Sequence, residues 1–184
     1  MSGDKTSNMR LLSHDTLNGW GGIGEGMSIQ EAKGGRRIMW LAHEGPPKNF
    51  TGVDVTDPKN PKVIVQRDIA NDCVRSNSLE VCGDIMAVAY QTRAEPGTLA
   101  PGFGRDPAGI ELFDISNPEE PATISFFDCA GPNSMGVHQL WFVDGEFIHC
   151  GAGAPDLQPR DLADSQIYRC IDVRNPSKPE EAGR

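Results

Sequence analysis

The chain has 184 residues, 38% of them hydrophobic and 23% charged, with a formal net charge of −9. That length supports one domain with a real core, and that composition excludes a disordered chain. The negative charge argues against nonspecific nucleic-acid binding and against docking on anionic membranes, and no stretch approaches the roughly 18 apolar residues of a membrane span.

In chain order, residues 1–18 form an N-terminal segment with no apolar run after its first charges, so no secretory signal is expected. The glycine-rich stretch from Gly19 to Gly26 lacks the strand–loop–helix setting of a phosphate loop and reads as a tight entry into the first sheet. A strand around Met27-Ser28-Ile29-Gln30 follows, then a turn at Lys33-Gly34-Gly35 and a second strand from Ile38 to Ala42. A third strand runs from Gly52 to Val55 and ends in Asp57-Pro58-Lys59-Asn60-Pro61, and a fourth covers Val63-Ile64-Val65. Asn49-Phe50-Thr51 matches a glycosylation acceptor by chance.

The same order then repeats. Strand Ser78 to Val81, turn Gly83-Asp84, strand Ile85 to Tyr90, strand Ile110 to Ile115, turn Asn117-Pro118-Glu119-Glu120-Pro121 and strand Thr123 to Phe127 make a second unit. Strand Val137 to Phe142, turn Asp144-Gly145, strand Glu146 to Cys150, strand Tyr168 to Val173 and turn Asn175-Pro176-Ser177-Lys178-Pro179 make a third, whose fourth strand is expected to begin near Arg184. The glycines supply the positive φ that tight hairpins demand, and the prolines cannot continue a ladder. Asp54, Asp114 and Asp172 recur 60 and 58 positions apart, and their carboxylates are expected to accept backbone N–H groups of the following turn.

Four antiparallel strands at a fixed period predict an all-β fold of β-propeller blades. Blade 1 is expected over residues 19–70, blade 2 over 71–128 and blade 3 over 129–184, all in one propeller domain. Propellers have about four to eight blades. Three are therefore expected to need the remaining blades of a longer chain, or a second copy, to close. Insertions at 96–107 and 152–164 could cover a site or be variable surface. Five cysteines, an odd number without a Cys-x-x-Cys spacing, argue against a disulfide framework and for a reducing, cytoplasmic setting. They are expected to act as small apolar fillers.

The three Asp-x-x-Asp/Asn-Pro-x-x-Pro strands, ending Val53-Asp54-Val55, Phe113-Asp114-Ile115 and Ile171-Asp172-Val173, resemble the LVIVD repeat family. The resemblance covers most of residues 20–184. It implies a propeller with further blades, and a family of both enzyme candidates and surface or scaffold proteins. Fold alone does not settle which. It also implies histidines in the contexts of His14, His43 and His138.

Propeller sites gather where the first strands and their entry loops meet the central channel. His138, Asn77, Arg75 and Glu25 are the candidate catalytic residues at that mouth, and His138, His43 and His14 the candidate metal ligands. Imidazoles with carboxylates would hold Zn²⁺, Fe²⁺ or Mn²⁺, or act as a base and its orienting partner. Arg75 would clamp a substrate carboxylate or make a surface salt bridge. His149 reads as structural, and Ser134 lacks the nucleophile elbow of hydrolases. Two functions stay open. One is a cytoplasmic hydrolase or lyase acting on a small, carboxylated molecule. The other is a noncatalytic scaffold for a protein or ligand.

Overall fold

The computed structural model describes residues 8–20, 22–69, 72–92, 108–161 and 165–184. They form three four-stranded antiparallel sheets, each built from four consecutive strands in simple order. Sheet 1 holds β1 (Ile23–Ala32), β2 (Arg36–His43), β3 (Lys48–Asp54) and β4 (Lys62–Asp68). Sheet 2 holds β5 (Val74–Cys82), β6 (Ile85–Thr92), β7 (Gly109–Asp114) and β8 (Ala122–Asp128). Sheet 3 holds β9 (Val137–Trp141), β10 (Phe147–Ala152), β11 (Ile167–Asp172) and β12 (Glu180–Gly183). The fold is all-β and blade-like, and the stack of three sheets is not closed. Among the described residues no helix is long and apolar enough to cross a membrane.

The repeated aspartate explains why each unit turns at the same place. Asp54, Asp114 and Asp172 accept the backbone N–H two residues on, from Thr56, Ser116 and Arg174, at 2.9, 2.8 and 3.0 Å. Directly after them the Pro-bracketed turns close with N–H to carbonyl bonds from Asn60 to Asp57, Glu120 to Asn117 and Lys178 to Asn175. Every third–fourth strand ladder also slips by one residue just before the aspartate, between Gly52 and Val53, Leu112 and Phe113, and Cys170 and Ile171. Ionised carboxylates suit this role, and all three acids are held below their usual range. The Thr56 hydroxyl is the largest cause at Asp54, the Ser116 N–H at Asp114, and the Arg174 guanidinium at Asp172.

The strand order of all three units follows the sequence expectation, with differences of extent, among them β1 and β5, which start at Ile23 and Val74, ahead of the expected Met27 and Ser78. The fourth strand of sheet 3 is β12 at Glu180–Gly183, ahead of Arg184, because the Pro179 turn leads straight into pairing with β11. The third strand of sheet 1 starts earlier, at Lys48, because Asn49, Phe50 and Thr51 are all buried in it. Insertion 96–107 lies outside the described residues, as do 162–164 of the second insertion.

Two cores separate the sheets. Trp40 and Phe50 of sheet 1 pack with Leu79, Met86, Val88 and Phe113 of sheet 2. The Trp40 and Phe50 rings meet edge-on at 5.8 Å, and Phe50 meets Phe113 at 5.1 Å. Ala87, Ala89, Ile110 and Leu112, on the other face of sheet 2, pack with Leu140, Phe142, Ile148 and Ile171 of sheet 3. Each sheet thus has a leading face toward the preceding sheet and a trailing face toward the next. The leading face of sheet 1 is covered in part by Leu17, which packs on Leu41 and Val53. Of the cysteines, Cys129 and Cys150 are buried in core and half-buried Cys82 packs against the same cluster. Cys73, on a strand approach, is exposed, and Cys170 is half-buried.

Candidate functional site

The first strands β1, β5 and β9 pack side by side, and each carries a β-bulge near its start. In β1 the register breaks between Ile23 and Met27, and in β5 between Ser76 and Ser78. In β9, Val137 pairs with Ala152 while Gln139 pairs with Gly151, leaving His138 out of the ladder. The residues displaced from pairing include Glu25, Asn77 and His138. A bulge bends its strand and re-aims the extra side chain, so three equivalent irregularities bring three polar groups to one place. Gly26 allows the approach. A Cβ there would lie 2.2 Å from the Leu79 nitrogen and 2.7 Å from the Ser78 carbonyl carbon.

His138 stands at the centre. Its Nδ1 lies 3.2 Å from Gln91 Oε1 and 3.2 Å from Asn77 Nδ2, and Asn77 Nδ2 donates to the His138 carbonyl at 2.9 Å. Its Nε2 is 3.9 Å from Glu25 Oε2, close enough for charge support and too long for a direct hydrogen bond. Arg75 donates through Nε and Nη2 to Gln91 Oε1, at 3.3 and 2.8 Å, and through Nη1 to Glu44 at 2.5 Å. Two guanidinium donors identify the Gln91 atom as oxygen, an acceptor facing His138 Nδ1, while the Asn77 amide sets a donor against the same nitrogen at the same distance, so Nδ1 donates to Gln91 in one tautomer and accepts from Asn77 in the other. Nε2 is the outward nitrogen, on a side chain that is 41% exposed. Asn77 is fully buried and its Oδ1 has no hydrogen-bond partner among the described residues, while its amide nitrogen is committed to His138.

Four of the sequence-predicted residues, His138, Asn77, Arg75 and Glu25, therefore meet in one cluster. Arg75 is held by Glu44 and Gln91, and its guanidinium orients Gln91. His43 and His14 are not brought to the cluster. His43 is buried with Nε2 2.7 Å from the Thr51 hydroxyl. Burial lowers its pKa, against a hydrogen bond involving Gly22 that raises it, so the ring is neutral at pH 7. His14 is exposed in the N-terminal segment. Among the described residues no group of three or more His, Cys, Asp or Glu side chains is arranged to hold a metal. His149 bonds the Tyr168 hydroxyl at 2.8 Å. Burial pushes the Cys129 and Cys150 thiols up to about 12, which removes both as thiolate nucleophiles at neutral pH.

Sequence reasoning missed Gln91 and Glu44. Gln91 ends the apolar run of β6, and a glutamine buried at the end of such a run was the available signal. Its partner His138 is 47 positions away, so no local spacing could join them. No protein-family model matches the chain, and no curated protein matches it.

Proposed function

We propose that the protein is an intracellular enzyme in which His138 is a general base acting on a small molecule held at the bulge cluster. In hydrolysis, His138 Nε2 takes a proton from water as the water oxygen bonds to a carbonyl carbon, and the imidazolium returns the proton to the leaving group. In elimination, the same nitrogen removes a proton from the carbon beside a carbonyl, the C–H electron pair forms the new double bond, and the group on the β-carbon leaves with its bonding pair. The observation that carries this reading is the Glu44–Arg75–Gln91 chain, which ends on His138 Nδ1 and, in the tautomer protonated there, leaves a basic Nε2 facing outward. A base oriented by a second polar group is the arrangement such chemistry needs. Glu25 stabilises the imidazolium that forms.

Arg75 acts as a positioning residue in this reading. With its guanidinium engaged by Glu44 and Gln91, and with Glu25 beside the base, the cluster suits a neutral or cationic substrate better than a carboxylate. A divalent metal, Zn²⁺, Fe²⁺ or Mn²⁺, would find two donors here, His138 Nε2 and Glu25, fewer than the three protein ligands of an open catalytic zinc site. The metal-free base is therefore preferred. No disulfide joins the described cysteines, which suits a reducing compartment.

The test is turnover of a panel of neutral esters, lactones and β-substituted carbonyl compounds by the protein and by His138→Ala. Loss of about 100-fold or more in the variant is expected for a general base. Equal rates, or no turnover of any member, would sink the reading. Elemental analysis of the protein and of a His138→Ala/His43→Ala variant tests the metal alternative. A noncatalytic scaffold is the second reading, favoured by the open aromatic face of sheet 3 described next.

A further inference from the structure

The register of the three sheets makes their positions comparable, because Asp54, Asp114 and Asp172 face Ile38, Ile85 and Phe147 respectively. Counting from these pairs, Trp40, Ala87 and His149 are equivalent on the trailing faces, and so are Phe50, Ile110 and Tyr168. In sheets 1 and 2 those residues are buried by the following sheet. In sheet 3 Tyr168 is 56% exposed and its neighbour Trp141 65%. They border an open groove of about 760 Å³ shared with His149, Gln139 and Glu80. The His149 and Tyr168 rings lie stacked 6.1 Å apart along it.

The leading faces show the complementary difference. Met27 is equivalent to Leu79 and Leu140, and Ile29 to Val81 and Phe142. Leu79, Leu140 and Phe142 are buried against the preceding sheet, whereas Met27 is 60% and Ile29 55% exposed. The interface that occurs twice inside the molecule thus has both of its halves open on the same chain. Leu17 covers the β2–β3 part of the leading face of sheet 1, held by a bond from Gln66 to its carbonyl at 3.0 Å. Among the described residues the β1 part stays free, and the first strands carry the largest share of the contact between successive sheets.

We propose that the trailing face of sheet 3 docks the leading face of sheet 1 of a second copy of this chain, so that two copies close a ring of six sheets. A two-fold axis supplies this contact twice, and six sheets fall within the usual range of about four to eight blades. Closure also removes the open-ended growth that a head-to-tail contact otherwise gives. The second copy brings its own Glu25, Asn77 and His138 to the shared channel. This assembly stands independently of the His138 base.

The experiment is sedimentation velocity over a broad concentration range, with two paired variants. Trp141→Glu/Tyr168→Glu blocks the sheet 3 face, and Met27→Glu/Ile29→Glu blocks the sheet 1 face. The unaltered chain is expected to be a dimer. Each variant weakens association by at least tenfold, with far-ultraviolet circular dichroism unchanged. Mixing the two variants restores a dimer, because the intact sheet 3 of one meets the intact sheet 1 of the other. Should a glutamate pair unfold the chain, glutamine at the same positions replaces it. A monomer at every concentration, an open series of oligomers, or a dimer that survives both variants overturns the proposal. So does dissociation by the Trp141/Tyr168 pair alone, which indicates sheet 3 pairing with itself, or a mixture that stays monomeric.

Discussion

The trailing faces of sheet 1 and sheet 3 are built on one register and meet opposite fates. On sheet 1, Trp40 and Phe50 are sealed against Phe113 and Val88, and the Trp40 indole donates to the buried Gln30 side chain at 3.2 Å. On sheet 3, the equivalent positions hold His149 and Tyr168, which bond each other and face the open groove. The same backbone position therefore contributes to stability only where another sheet covers it. Aromatic residues on an uncovered face keep their capacity to bind and supply little folding energy.

Substitutions at matched positions give this contrast its largest test. Trp40→Ala should cost about 3–5 kcal/mol, as large aromatic deletions in cores do. Denaturant unfolding followed by far-ultraviolet circular dichroism measures it, and a cost near zero would show that the sheet 1–sheet 2 core is not formed as described. Next in size is Gly26→Ala, where the new methyl meets the β5 backbone. Overpacking of that kind costs about 1–3 kcal/mol, and the same unfolding curves read it. It should also perturb the His138 imidazole resonances in NMR spectra, since the β1–β5 approach carries Glu25 to the cluster.

The turn acids come third. Asp54→Ala removes an N–H acceptor at part-buried Asp54, with an expected loss of about 1 kcal/mol, the net worth of one hydrogen bond. Because the folded-state pKa of Asp54 is lowered, this contribution is present above the ordinary aspartate value of 3.8 and is lost as pH falls through the folded value. His43 gives a smaller, differently placed effect. Its folded pKa lies below 6.5, so the unfolded chain binds the proton more readily. Stability is therefore complete above 6.5 and declines as pH falls below it. His43→Gln should flatten that part of a stability–pH curve, and an unchanged slope would show that burial does not keep His43 neutral. Smallest is Tyr168→Ser. In dilute, monomeric protein it should change stability by no more than about 0.5 kcal/mol, as exposed positions do. A loss comparable to that of Trp40→Ala would mean that the sheet 3 face is covered within one chain.

Much of the fold was legible because its signals are local. Gly83 at φ 59° and Gly145 at φ 77° mark hairpins whose flanking strands alternate or run apolar, and these can be read without any partner. The site was legible in part. Glu25, Asn77 and His138 could be named because each lies in the first half of a first strand, close to where the sequence places the strand's entry. The bulges that gather them are features of pairing between strands, which the sequence of one strand does not state. The separation of His43 from the cluster has a similar reason. Its position at the end of β2 fits a mouth, yet Thr51, across the β2–β3 hairpin, takes its Nε2 and burial keeps it neutral.

By itself the sequence determined the three-fold repeat, the turn at each aspartate and the antiparallel order of strands, because φ preferences, proline chemistry and hydrophobic spacing act within a few residues. The tertiary structure alone decided what surrounds the His138 ring and which sheet faces are open. Both depend on groups distant in the chain. Asn77, and Gln91 held by Arg75, meet His138 through bonds that exist only when β5, β6 and β9 are packed. The exposure of Trp141 and Tyr168 is a property of what lies beside sheet 3 and of nothing within it.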